Sequence, residues 1–319
     1  MTAHLRCALL GECMIELQGA PFGSMQQTMG GDTLNTAVYL ARCSSRQQLR
    51  VSYATALGID HFSDIMLTRW QQEGIDLDLV DRLPDRLPGL YHIETDNGGE
   101  RRFQFWRSDS AACHYFDRQP ALLEAAADQI DLLYLSGISL AILPDAARLR
   151  VLRLMEALAA RGAWVVFDNN YRPRLWPDAA TARHWFDKAL ARATLGLITL
   201  DDHQALHALP DAASALAHAS AFRLRELVIK QGALPTLLRN AGQWQEVATE
   251  PVTQVVDTTA AGDSFAGAYL SRRLIGEPSG AAAAFANRVA ARVIQHPGAL
   301  IPRQAMPDLM RHVQAVSPA

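Results

Sequence analysis

Asp257-Thr258-Thr259-Ala260-Ala261-Gly262-Asp263-Ser264-Phe265-Ala266-Gly267-Ala268-Tyr269 is a run of small residues that ends in a carboxylate and opens an apolar stretch. Gln254-Val255-Val256 before it reads as a short strand, and Ser264 to Leu274 reads as a helix. Small side chains let an anionic group approach the backbone, and N–H groups at a helix start can receive it. A carboxylate in that first turn can take a proton from a hydroxyl attacking a phosphate. The plain alternative for Asp263 is an N-cap, because aspartate before an apolar run serves well there. A cap needs one such residue, whereas the whole run is patterned, so the junction points to chemistry.

Upstream, apolar strand-like runs alternate with helix-like segments. Leu132-Leu133-Tyr134-Leu135, Ala163-Trp164-Val165-Val166-Phe167, Leu195-Gly196-Leu197-Ile198-Thr199 and Leu227-Val228-Ile229-Lys230 read as buried strands. Pro144 to Arg161 has helical spacing with proline near its start, and the alanine-rich Ala281 to Ala291 reads as a packed helix. Such alternation predicts an α/β fold with a mainly parallel sheet sandwiched by helices. The first third differs. Leu90 to Thr95 and Arg101 to Trp106 flank Asp96-Asn97-Gly98-Gly99-Glu100, a hairpin signal that predicts a small sheet standing off the main body.

A second small-residue stretch, Gly30-Gly31-Asp32-Thr33-Leu34-Asn35-Thr36-Ala37, begins a helix expected to run to about Arg42. Asp32 or Thr33 could simply cap it.

With 319 residues, 49% of them apolar, the chain can bury one large core. A net charge of −3 and the absence of long like-charge blocks argue against a nucleic-acid surface. Cys7-Ala8-Leu9-Leu10 is too short for a signal peptide or a membrane span, so a cytoplasmic, membrane-free chain is expected. Cys7, Cys13, Cys43 and Cys113 form no Cys-x-x-Cys pair and read as free thiols. The ten histidines form no His-Glu-x-x-His arrangement, which argues against a protein-ligated catalytic metal. Neither Gly-x-x-x-x-Gly-Lys-Ser/Thr nor a strand-borne Gly-x-Gly-x-x-Gly is present, excluding ordinary P-loop and dinucleotide-binding designs.

The Asp257–Asp263 run resembles the second signature of the ribokinase-like (phosphofructokinase B) sugar kinases, with Ala260 at the place of its first glycine. The Asp-Thr-Thr-Ala-Ala-Gly-Asp form is that of one branch, the 2-keto-3-deoxygluconate kinases. The Gly30–Ala37 stretch resembles the family's first signature, Gly-Gly-x-x-x-Asn-x-Ala. Gly11 to Leu17, Leu87 to Tyr91, Phe105-Trp106-Arg107, Leu135 to Leu140 and Phe167 to Trp176 are also similar to that branch. Together they extend over roughly residues 9–307.

The resemblance implies a ribokinase-like kinase domain over residues 1–319, with a small β-sheet lid from about 13–29 and 86–112. It implies ATP-dependent phosphorylation of a small-molecule sugar acid at its terminal hydroxyl, with Mg2+ carried by the nucleotide. Asp263 would be the base, and the N–H groups of Ala260, Ala261 and Gly262 the anion hole, provided that Ala260 avoids positive φ. Gly31, Asp32, Asn35, Tyr91, Phe105, Arg107 and Arg172 would bind substrate, since guanidinium groups grip a carboxylate through a rigid fork. Cross-strand packing against Phe103 or Phe105 is the alternative for Tyr91, and a solvated charge that for either arginine. Asn170, Lys230, Gly232, Ala261, Gly262 and Asn287 would serve the nucleotide, although an ordinary strand-to-turn passage also explains Lys230-Gln231-Gly232.

Where the family often has Asn-x-x-Glu, this chain has Leu200-Asp201-Asp202-His203. The resemblance leaves room for a monovalent cation near Asp257 and for a homo-oligomer built through the lid. A fructokinase or ribokinase-type enzyme, a nucleoside kinase and a catalytically idle sugar-acid sensor are the competing readings.

Overall fold

The computed structural model describes residues 4–95 and 101–306. Its strands are β1 (Leu5–Leu10), β2 (Met14–Gly19), β3 (Met25–Gly30), β4 (Leu49–Leu57), β5 (Val80–Arg82), β6 (Leu90–Thr95) and β7 (Arg101–Trp106), then β8 (Leu132–Ser136), β9 (Trp164–Asp168), β10 (Leu195–Thr199), β11 (Glu226–Lys230), β12 (Thr236–Asn240) and β13 (Gln243–Val247). Nine of them form one sheet in the order β13-β12-β11-β10-β9-β8-β1-β4-β5. It is parallel from β11 to β5 and antiparallel at the β11–β12–β13 edge.

Period-two alternation explains why the parallel strands read as unbroken apolar runs. On β1, Cys7 and Leu9 enter one core while Ala8 and Leu10 enter the other. On β8, Leu132 and Tyr134 face the first and Leu133 and Leu135 the second. Helices Asp32–Arg42, His61–Gln72, Ala261–Arg273 and Ser279–Val293 cover the first face. Helices Asp145–Ala160, Ala179–Leu190, Leu200–His207 and Ala212–Ser220 cover the second.

The smaller sheet has the order β3-β2-β6-β7. Thr95 and Arg101 pair across β6 and β7; the Asp96–Glu100 turn expected between them lies outside the described residues. The stretch Gly11 to Leu17 divides into a link and the start of β2. Gly11, Glu12 and Cys13 form the link by which the chain leaves β1 in the large sheet and enters β2 in the small one.

Two expectations around the deciding stretch are corrected. Gln254 to Val256 forms no strand: the Val256 and Asp257 N–H groups both donate to the Ile294 carbonyl, at 2.8 and 3.1 Å. β-residues make a strand only when a neighbour completes the ladder, and here a helix end takes that place. The following helix begins at Ala261 rather than Ser264.

In the large sheet, strand order reverses at β1, which lies between β8 and β4. Ligands of open α/β sheets bind beyond the carboxyl ends of strands at such a switch point. That edge is where Glu12, Asp168, Asn170 and Lys230 emerge.

Candidate active site

Two helices bring the signature stretches together. Helices Asp32–Arg42 and Ala261–Arg273 lie almost backbone to backbone at Gly267, where a Cβ would stand 2.6 Å from the Thr36 carbonyl oxygen and 2.7 Å from the Leu40 nitrogen. That approach sets Asn35 beside Asp263, and Asn35 Nδ2 donates to Asp263 Oδ2 across 2.9 Å. Asn35 therefore orients the expected base, a partner that its motif did not announce. Gly31 is the N-cap of its helix in extended backbone, and Asp32 makes no side-chain cap bond, so capping does not explain that residue. A Cβ on Gly31 would lie 2.1 Å from the Glu12 carbonyl oxygen, so the close approach requires glycine. Asp32 Oδ2 accepts from Asn170 Nδ2 at 2.7 Å, which ties the first signature to the segment after β9.

Lys230, ending β11, donates through Nζ to Asp168 Oδ2 at 2.8 Å, and both side chains are largely buried. The same Nζ lies 3.4 Å from where a Gly262 Cβ would stand, so the ammonium sits against the small-residue loop. Sequence reading passed over Asp168; its signal was a carboxylate at the end of an apolar strand, before two asparagines. Tyr134 also donates to Asp168 Oδ2, at 3.3 Å.

Burial first, and the Asp32 carboxylate second, push Asp263 up to about 7; the Asn35 hydrogen bond and Lys230 act in the other direction. A carboxyl poised there can hold or release a proton near neutrality.

Of the three N–H groups expected to form the anion hole, that of Ala261 is taken up inside the loop, while those of Ala260 and Gly262 have no hydrogen bond among the described residues. Ala260 is left-handed, with φ 59 and ψ 16, so the condition set on its backbone is not met. The Ala261 N–H donates to the Thr258 carbonyl at 3.2 Å. The Gly262 and Asp263 N–H groups have no hydrogen bond among the described residues, and they begin the helix. Asp257 shapes the loop by accepting from Thr259 N at 3.0 Å and from Gly298 N at 2.9 Å. Free N–H groups, a lysine ammonium and a helix start suit an anionic phosphate.

On the small sheet, register places Glu16, Tyr91 and Phe105 on one face. The Tyr91 hydroxyl donates to Glu16, while its ring stacks on Phe105 with centroids 5.7 Å apart, the cross-strand packing that was the alternative reading of this residue. Arg107 pairs with the buried carboxylate of Glu12, which also accepts from Ser110. Arg107 Nε is buried without a hydrogen-bond partner among the described residues. Glu12 and Glu16 were missed in the sequence, where isolated glutamates carry no spacing signal. Arg172 is half exposed and pairs with Asp202 at 3.3 Å. Burial raises Asp202, and the Tyr171 N–H also donates to it.

Gly232 follows Lys230 at φ 61 in open space. Asn287 is engaged elsewhere: Oδ1 accepts from Thr236 Oγ1 at 2.9 Å, and Nδ2 donates to the Ala248 and Val247 carbonyls at 3.0 and 3.4 Å. With both amide hydrogens committed, it fixes its helix to the sheet edge rather than offering a donor to an adenine.

Residues 5–306 match the pfkB family carbohydrate kinase model. The chain belongs to the pfkB family of carbohydrate kinases. It is 45% identical over 306 residues to the 2-dehydro-3-deoxygluconokinase of Dickeya dadantii (strain 3937), covering 94% of this chain and 98% of that one. It is 43% identical over 309 residues to the enzyme of the same name from Escherichia coli (strain K12), covering 95% and 99%. Among solved structures, a fructokinase with bound ATP from Xylella fastidiosa shares the fold, with a TM-score of 0.81 at 24% identity over 97% of this chain and 98% of that one.

Proposed function

We propose that this kinase transfers the γ-phosphoryl group of ATP to the terminal hydroxyl of 2-keto-3-deoxy-D-gluconate (2-dehydro-3-deoxygluconate), giving the 6-phosphate. The observation that carries the reading is the convergence of Asp263, its partner Asn35 and Lys230 on the open start of one helix. The 40–45% identity to proteins named 2-dehydro-3-deoxygluconokinase favours the sugar acid over a neutral sugar.

Asp263 accepts the proton as the terminal oxygen attacks phosphorus. The Gly262 and Asp263 N–H groups and the Lys230 ammonium face the charge that grows on the transferring group. Lys230 and Gly232 flank the triphosphate, and Asn170 holds Asp32 in place for substrate hydroxyls. Nucleotide-borne Mg2+ would supply further neutralisation of the phosphate charge. Arg107 and Arg172 anchor the carboxylate end of the substrate, directing its other end at Asp263. The small sheet, with Tyr91 and Phe105, serves as a lid whose closure excludes water.

In the expected result, ADP release depends on 2-keto-3-deoxygluconate, exceeds that with fructose, ribose or a nucleoside, and is lost in Asp263→Asn. Greater turnover of a neutral sugar would overturn the substrate assignment. Binding of the acid without ADP release would make the protein a sensor.

A further inference from the structure

Away from the catalytic cleft, three imidazoles gather on the second face of the large sheet. His203 and His207 are four residues apart on helix Leu200–His207, so they rise from the same side of it. His218 comes from the next helix, Ala212–Ser220. One ring nitrogen from each can be chosen so that all three lie within 4.8 Å of one another. His203 Nε2 and His218 Nδ1 are 3.0 Å apart. Ring centroids are 4.5 Å apart for His203 and His207, 4.4 Å for His207 and His218, and 5.0 Å for His203 and His218. His207 Nε2 is buried with no hydrogen-bond partner among the described residues.

Ordinary packing accounts poorly for this arrangement. A buried imidazole normally gives its N–H to a carbonyl or carboxylate, yet here polar edges turn toward one another and one nitrogen is left unmatched. Phe222 packs edge-on against His203 and His218, which keeps part of the cluster dry. Burial and the two neighbouring rings lower His203 to about 3, and burial lowers His207 as well. Neutral imidazole is the form that ligates a metal.

We propose that His203, His207 and His218 form a three-imidazole site for a borderline divalent transition cation, zinc above all. Two nitrogens bound to one tetrahedral zinc at about 2.0–2.1 Å lie roughly 3.3–3.4 Å apart, so only small side-chain movements close the set. The proton now shared between His203 Nε2 and His218 Nδ1 moves to the other nitrogen of its own ring, leaving both facing nitrogens as donors with no net proton release. Exposed His218 gives the cation its way in, and water fills the fourth position. The bound ion joins two helices that are otherwise held by side-chain packing. Magnesium, which prefers oxygen ligands, does not compete there.

The experiment titrates chelator-treated, nucleotide-free protein with Zn2+ in excess Mg2+, by calorimetry and thermal melting, and with Co2+ by visible absorption. One equivalent binding at micromolar or tighter affinity is expected, with a raised melting temperature and a nitrogen-ligand Co2+ band. His218→Ala and His207→Gln, at an exposed and a half-buried position, should each weaken binding by more than the ~10–100-fold that a second-shell partner costs. His61→Ala, an exposed histidine on another helix, should bind as the parent does. Absence of stoichiometric zinc binding, or unchanged affinity in both cluster variants, overturns the site.

Discussion

Asn35 Nδ2 donates to Asp263 Oδ2 across 2.9 Å, joining two helix starts that are 228 residues apart in the chain. The bond fixes the carboxylate's orientation and stabilises its ionised form against burial. A positioned base contributes ~10²–10⁴ in rate, so Asp263→Asn should lower kcat by at least a hundredfold while ATP affinity stays near that of the parent. Asn35→Ala should lower kcat less and move the acidic limb of the pH profile upward, because the ionised carboxylate loses its donor. Steady-state kinetics over pH, with equilibrium nucleotide binding, separate the two. Near-parent turnover in Asp263→Asn would remove the base.

The position of Asp263 near 7 has opposite consequences for activity and stability. As the proposed base, Asp263 must be ionised to act, so kcat/KM should rise with pH through about 7. Stability follows the reverse sign. A carboxyl raised in the folded state favours folding below its unfolded value of ~3.9, and that contribution is lost as pH rises through the folded value. Asp263→Asn should therefore melt above the parent at pH 8, by a margin that shrinks toward pH 5. Melting curves at the two pH values test this; an equal offset at both would show that the carboxyl is not raised.

Lys230 and Asp168 form a largely buried ion pair, and removing one partner strands the other. Lys230→Met should destabilise the protein by ~3–5 kcal/mol. Adding Asp168→Asn should restore much of that loss in chemical denaturation. The double variant should still turn over ~10²-fold or more slowly, as expected on losing a preorganised donor at the transferring group. Recovery of both stability and turnover would make Lys230 a structural residue only.

Ala260 holds a left-handed backbone at φ 59, a conformation costing a non-glycine residue about 1–2 kcal/mol. Glycine removes that strain but loses about 0.4–1 kcal/mol through a freer unfolded chain. Ala260→Gly should therefore change stability by no more than about 1.6 kcal/mol, on the favourable side, and leave kcat intact. A marked loss of stability would mean that the alanine methyl contributes packing that offsets its backbone.

Most of the layered fold was legible because parallel strands buried on both faces are apolar through their middles, as β8, β9, β10 and β11 are. The Gly-Gly and Ala-Ala-Gly-Asp stretches were legible for another reason: a backbone that must approach an anion or a neighbouring main chain allows few residue types. Gln254 to Val256 misled because residues suited to a strand do not supply the neighbouring strand. Asp168, Glu12 and Glu16 stayed hidden because each acquires its partner only through tertiary packing, with Lys230, Arg107 and Tyr91 respectively. The three histidines were obscured similarly: His203 and His207 have helical spacing, but the third ligand arrives on a separate helix.

Under the proposed function, Arg107 would be the residue that reads the sugar acid most directly, and its ion pair with Glu12 governs how that role can be tested. Glu12 is 2% exposed, so Arg107→Ala alone would leave a buried carboxylate without its cation and confuse folding with recognition. Combining it with Glu12→Gln removes that charge while keeping an acceptor for Ser110. A hydrogen bond to a charged group is worth about 1.5–3 kcal/mol, which corresponds to a loss of roughly 10–150-fold in kcat/KM for the sugar acid. A neutral sugar such as fructose, having no carboxylate to lose, should change by less than ~3-fold in the same double variant. Equal losses on the two substrates would mean that Arg107 supports the lid without reading the acid.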